Sequence, residues 1–334
     1  MKSAIILLFA ICFSRLEAQQ IELLTDNNKI SVRGLSAVND SIVWVSGSEG
    51  TVGKSVNGGK TWQWIAVKNF EKKDFRDIEA FDERTAIIMA VGEPAFILKT
   101  TDGGETWKTV FTDSTKGMFL DAMDFSDDKH GVVIGDPINN KVFLAHTENQ
   151  GTNWKIDKNF AKLSEGEALF ASSGSNIKML WNKEEAIADL FFVTGGKRSR
   201  LFVDDSPHDL NIVQGKETQG ANSISINKKT GNAVIVGGDF SKDTISTNNC
   251  ILFSLDKAGF TSPATAPHGY RSCVEYITEN KLICCGSSGV DISEDGGKNW
   301  RFVSPAGFHV CQKAKNGRTV FLAGINGKIA RLKW

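Results

Sequence analysis

Four segments of this chain repeat one formula: a hydroxyl residue, any residue, Asp or Asn, a glycine pair or its remnant, two further residues, then Trp. They run from Ser55 to Trp62, Thr100 to Trp107, Thr147 to Trp154 and Ser293 to Trp300. Trp107 follows Trp62 by 45 residues, and Trp154 follows Trp107 by 47. Trp300 lies 146 residues further on, about three periods, so two intervening copies have decayed. The segment from Ser254 to Phe260 stands near where one of them belongs. A period of roughly 40–50 residues, each unit holding four short strands, is the range of β-propeller blades.

The formula has a physical rationale. An Asp or Asn side chain accepts hydrogen bonds from backbone N–H groups just downstream and tightens a turn. The glycines supply positive φ without steric cost. The Trp brings a large apolar surface to pack between units. The motif resembles the Asp-box, or bacterial neuraminidase repeat, with Asp102 and Asp295 in two copies and Asn57 and Asn149 in the others. That resemblance covers essentially the whole chain after the N-terminal segment. It points to the Asp-box propellers related to photosystem II stability and assembly factors, in the version found in secreted bacterial proteins. It implies that the boxes sit on hairpins between outer strands, as fold staples. The oxidoreductase label that some of these proteins carry finds no cofactor motif here, and no cofactor or metal is expected.

Seven apolar runs ending in small residues mark one strand per unit, at Ile42–Gly47, Ala86–Gly92, Gly131–Gly135, Asp189–Gly195, Ala233–Gly238, Leu282–Gly286 and Val320–Gly324. Apolar on both faces, they suit strands sandwiched between blades. They predict an all-β, seven-bladed propeller occupying residues 19–334 as one domain. The last unit lacks a box, and residues 21–24 can supply its missing outer strand, closing the ring and removing a sheet edge. Residues 183–188 are the only candidate turn of helix.

The chain opens with Lys2, an apolar run of about ten residues and Ala18 before Gln19, the pattern of a signal peptide over residues 1–18 and too short to span a bilayer. An exported, periplasmic or extracellular protein is therefore expected. Basic and acidic residues balance at 39 each, which gives no basis for binding nucleic acid. Export permits disulfides, and Cys273 with Cys311 is the best pair by position, with Cys284 or Cys285 as rivals.

In a propeller the first strand of each blade lines the central channel. Aligning these strands puts Arg33, Arg76 and Arg271 in one column at a channel mouth, with Asp77 and Asp121 in the next. Tyr270, His309 and Glu275 lie beside them, and Glu165 and Glu167 mark the fourth unit. Converging guanidinium groups suit a carboxylate or other oxyanion. They can equally pair with neighbouring carboxylates as a structural network. One functional reading is a non-catalytic propeller binding a protein partner or a glycan or anionic ligand at the mouth. The other is a glycan-directed hydrolase or lyase, of sialidase-like architecture, using Asp77, Asp121, Glu165 or Glu167 as acid and base.

Overall fold

A computed structural model describes residues 19–158, 160–182, 187–257 and 259–333. The signal-like segment lies outside them, as does most of the candidate helical turn. The chain forms seven antiparallel sheets in sequence order around a central channel. The first blade runs outward through Val32–Ala37, Val43–Gly47, Thr51–Ser55 and Gln63–Ala66. Each of the seven apolar runs is the second strand of its blade. The seventh blade is completed by Gln20–Thr25, which pairs with Ile329–Lys333 in the register Ile21↔Leu332 and Leu23↔Ala330. Residues 20–25 and 329–333 thus share one sheet, and closure follows the pattern read from sequence.

The four boxes hold the hairpins between third and fourth strands. Asp102 accepts from the Thr106 N–H at 3.0 Å, while Thr100 Oγ1 accepts from the Gly104 N–H at 3.0 Å and donates to Asp102 at 2.8 Å. Asn57, Asn149 and Asp295 each accept from the backbone N–H four residues on at 2.9 Å. That reach is one or two residues longer than a simple Asx turn, because the glycine pair adds its own bend. The Trp side chains then join the apolar layers between blades. Trp107 meets Trp44 of the first blade edge-on at 6.5 Å, and Trp300 packs among Val234, Val236 and Leu282.

The innermost strand of each blade has no sheet neighbour on its channel side, so its free N–H groups need other acceptors. Side chains from the preceding blade supply them. Ser36 accepts from Ala80, Asp77 from Met123, Asp124 from Met179, Ser223 from Val274 and Gln312 from Ala37, at 2.7–3.0 Å. Asp77 is therefore a buried stitch between second and third blades, not a member of an exposed acidic ring.

The five described cysteines are all buried free thiols, so the disulfide between Cys273 and Cys311 does not form. The Cys273 thiol instead donates to the Cys311 carbonyl at 3.3 Å.

Trp44 is fully buried and donates its indole N–H to the Asp82 carbonyl at 3.1 Å. Trp44→Ala should empty the layer between the first two blades and destabilise by about 3–5 kcal/mol. Chemical denaturation would show it, and a loss below about 1 kcal/mol would contradict the inter-blade role.

Candidate functional site: one mouth of the channel

One residue of the innermost strand is out of register in four blades. The pairing skips between Val32 and Gly34, Phe75 and Asp77, Leu120 and Ala122, and Ala221 and Ser223. The skipped residues are Arg33, Arg76, Asp121 and Asn222. A bulge leaves one residue unpaired and re-aims its side chain. All four line a single cavity of about 420 Å³ at the mouth where the innermost strands begin. In the sixth and seventh blades Ser272 and His309 immediately precede the first paired residues, Cys273 and Val310, and both line the same cavity.

Arg271 is consequently one residue out of the column. It points back into its own blade, donating to Asp291 through Nε at 2.8 Å, to the Tyr270 carbonyl at 2.8 Å and to Ser288 at 2.9 Å. Arg271 and Asp291 are both buried. The three-arginine ring is thus corrected to a pair, Arg33 and Arg76, with Arg271 a structural ion pair.

The fourth blade's sector is filled by an excursion, residues 162–176, that the repeat pattern does not announce. Within it Glu167–Ala168 pairs with Gly195–Gly196. Glu167 is buried, accepting from Arg200 at 2.8 and 2.5 Å, from Thr194 at 2.5 Å and from the Ser164 N–H at 2.9 Å. Glu165 is exposed at the surface and does not line the cavity. Neither residue lines the cavity, so the expected acidic pair is not assembled there. Glu275 is also misplaced by the sequence reading. It lies at the opposite mouth with Glu79, Asp124, Lys178 and Lys315, where burial pushes its carboxyl up to about 7.

Where the excursion crosses the mouth it presents carbonyls to the arginines. Arg33 Nη1 donates to the Ser172 carbonyl at 3.3 Å, and Arg76 Nη1 to that of Ala171 at 3.4 Å. Arg76 also donates to Asp74 at 2.8 Å and lies over the Phe119 ring at 5.6 Å. Arg33 has no carboxylate within ion-pairing distance among the described residues. His309 accepts from or donates to Ser31 at 3.2 Å, and burial together with the two arginines brings it down to about 4. Opposite stands an aromatic wall: Phe170 against Phe240 at 6.2 Å, and Phe240 against Tyr270 at 6.3 Å. The Tyr270 hydroxyl donates to Asn222 at 2.8 Å, and burial raises it to about 12.

Asp121 lies fully buried beside the cavity, its carboxyl oxygens closed off from the cavity's interior and the N–H groups of Asp136 and Ala171 acting on them. Burial and the Asp136 charge push it well above the usual carboxyl range, against the opposing charge of Arg76. No second carboxylate shares the cavity lining with it, so the acid–base pair of a glycosidase is not formed. Among the described residues no cluster of three or more His, Cys, Asp or Glu could hold a metal, and no helix is long and apolar enough to cross a membrane.

Two outcomes check this assignment. Arg271→Ala should strand Asp291 and destabilise by about 3–5 kcal/mol, whereas a ring arginine would cost little. Thermal melting distinguishes them. For Asp121, a raised folded-state pKa means stability present at acid pH is lost as pH rises through that value. Asp121→Asn should therefore stabilise relative to the native chain by an amount that grows with pH, and a pH-independent difference would refute it.

The sequence of residues 63–187 matches the family model for the photosystem II assembly factor YCF48. No curated protein matches the chain. Among solved structures, a YCF48 bound to a D1 peptide superposes with a TM-score of 0.63 at 15% identity, covering 95% of this chain and 96% of that one. YCF48 from Cyanidioschyzon merolae gives 0.61 at 17% identity, covering 94% and 98%. The WD40 propeller domain of Doa1 gives 0.63 at 13% identity, covering 95% and 98%. The chain is a seven-bladed Asp-box β-propeller that resembles the photosystem II assembly factors.

Proposed function

We propose that this chain is a non-catalytic binding propeller that holds an anionic group of a protein partner at the Arg33–Arg76 mouth. The observation carrying this reading is Arg33: a partly buried guanidinium, bulged into a cavity, with only one long hydrogen bond to the excursion and no carboxylate in contact among the described residues. A desolvated cation without a counter-charge is costly, and a ligand oxyanion would offset that cost. The aromatic wall adds an apolar face suited to a side chain next to that oxyanion. A solved YCF48 carries a D1 peptide, which supports a peptide segment as the occupant over a glycan. The lack of paired carboxylates in the cavity favours binding over hydrolysis. The signal-like residues 1–18 support a place outside the cytoplasm, which N-terminal sequencing of the protein made in its own cells would test: a start at Gln19 is expected.

A peptide array probed with the folded protein tests the main reading. Bound peptides should share a carboxylate, and Arg33→Ala should weaken them by roughly 2–5 kcal/mol, as when one partner of a desolvated charge pair is truncated. Undiminished binding by Arg33→Ala would sink it.

A further inference from the structure

The opposite mouth, where the innermost strands end, holds a second cavity of about 640 Å³ to which all seven blades contribute. The stitches between blades define a ring of side chains in it. Ser36, Asp124, Ser225 and Gln312 accept the N–H groups of Ala80, Met179, Tyr276 and Ala37 in the next blade, at 2.7–3.0 Å. Each donor follows by one residue the equivalent position of its own strand, so Glu79, Lys178 and Glu275 complete the ring. Four members are thus held by stitches, Glu79 is taken by Lys315 at 2.5 Å, and Lys178 by Asp124 at 3.3 Å. Glu275 is left over. Among the described residues its carboxyl has no hydrogen bond and no ion pair.

Glu275 is partly exposed and lines the cavity, so a ligand there can reach it. The other charges of the cavity are already spoken for. Lys313 of the seventh blade donates to the Ala314 and Gly317 carbonyls at 3.3 and 2.8 Å. At the rim Lys229 pairs with Glu279 and Asp127 with His130, while Lys228 and Asp128 are exposed and opposite in sign. On its own strand the nearest titratable group is Cys273, whose thiol donates to the Cys311 carbonyl. Burial lowers Lys178, yet the charges of Asp124 and then Glu275 hold it above the ordinary lysine range, so it stays a cation committed to Asp124. Burial raises the Glu275 carboxyl to about 7, against the opposing charge of Lys178. One negative charge remains without a partner in a poorly solvated place.

We propose that this mouth is a second binding site, which holds a primary ammonium group on an aliphatic stem against Glu275. The neighbours of Glu275 in the ring are Ser225 in the fifth blade and Gln312 in the seventh. Each accepts one stitch, and a hydroxyl or amide oxygen has room for a second donor. Glu275, Ser225 and Gln312 are therefore three adjacent acceptors, matching the three N–H donors of an ammonium group. The stem lies against Met179, Ile226 and Ile277, which line the same cavity. The site stands at the far end of the channel from Arg33 and does not depend on an anion being bound there.

The test is titration of the folded protein with n-butylammonium chloride at fixed ionic strength, followed by calorimetry or ligand-observed NMR. From about pH 5.5 to about pH 8.5 the probe keeps its proton. Saturable binding is expected at the alkaline end. The complex needs ionised Glu275, so affinity should rise with pH through about 7, by at least about tenfold across the window. Glu275→Gln keeps the shape and removes the charge. It should weaken binding at least about tenfold at the alkaline end and abolish the rise with pH, the histidines being common to both chains. Tetramethylammonium has the charge without N–H donors and should bind at least about tenfold more weakly. N-acetyl-lysine amide separates the sources: binding as tight as butylammonium means that a partner's lysine side chain fits, and weaker binding means a free amine.

No saturable binding of butylammonium by the native chain at the alkaline end would overturn the site. So would binding that is flat with pH and undiminished in Glu275→Gln. Equal affinity for tetramethylammonium would overturn recognition through the three acceptors. If Glu275→Gln does not fold, the native pH profile and the tetramethylammonium comparison decide the matter.

Discussion

A propeller solves the exposed sheet edge at its circumference by closing the ring, but each blade keeps a second edge facing the channel. Those N–H groups cannot pair with a neighbouring strand, because the innermost strands splay around the axis. They must be satisfied all the same. Here the acceptors are short polar side chains of the preceding blade: Ser36, Asp77, Asp124, Ser223 and Gln312. The polar residues of an otherwise apolar strand are thus fixed by backbone chemistry. Mutating one would leave a buried donor empty, a loss of roughly 1–3 kcal/mol, and would loosen the joint between two blades.

This stitching determines which residues remain for function. Side chains at paired positions are committed to a face of the blade or to a neighbour's backbone. The bulge releases one residue per strand from that commitment, and it recurs at the same end of the channel in four blades. Arg33, Arg76, Asp121 and Asn222 owe their common orientation to it. The excursion over the fourth sector then narrows the opening. Its Gly174 has φ of +65°, and a Cβ there would come within 2.4 Å of the Asp77 carboxyl, so the excursion can settle onto the stitch only with glycine at that point.

Fold and closure were legible because they rest on features that repeat: the box with its Trp, the apolar second strand, and the complementary strands at the two ends. Arg33, Arg76, Tyr270 and His309 were also legible, as residues near the starts of innermost strands. Arg271 was misread because counting along the chain cannot see a one-residue shift. Ser272 holds the equivalent place, as the pairing of Cys273 with Cys285 shows. Glu165 and Glu167 were misread because the period conceals an insertion before Ile177–Asn182. Anchoring each column on the small residue that ends the second strand, instead of on the turn, would have moved Arg271 out and Asp121 in. The aromatic contributions of Phe170 and Phe240 had no sequence signal, since both come from connections between strands.

The two guanidinium groups at the mouth repel one another, and each is partly desolvated. Arg33 is correspondingly pushed below its ordinary pKa by burial and then by Arg76. The structure spreads the compensation unevenly. Arg76 receives a carboxylate from Asp74, a carbonyl from Ala171 and the face of Phe119, whereas Arg33 receives one carbonyl dipole. Full compensation of both would make a stable but inert ring, as the Arg271–Asp291 pair illustrates in the sixth blade. Leaving Arg33 short keeps a positive potential at one point of a cavity otherwise lined by rings and backbone. An incoming anion gains most where the protein itself has supplied least, so Arg33 rather than the better-held Arg76 is the centre of the site.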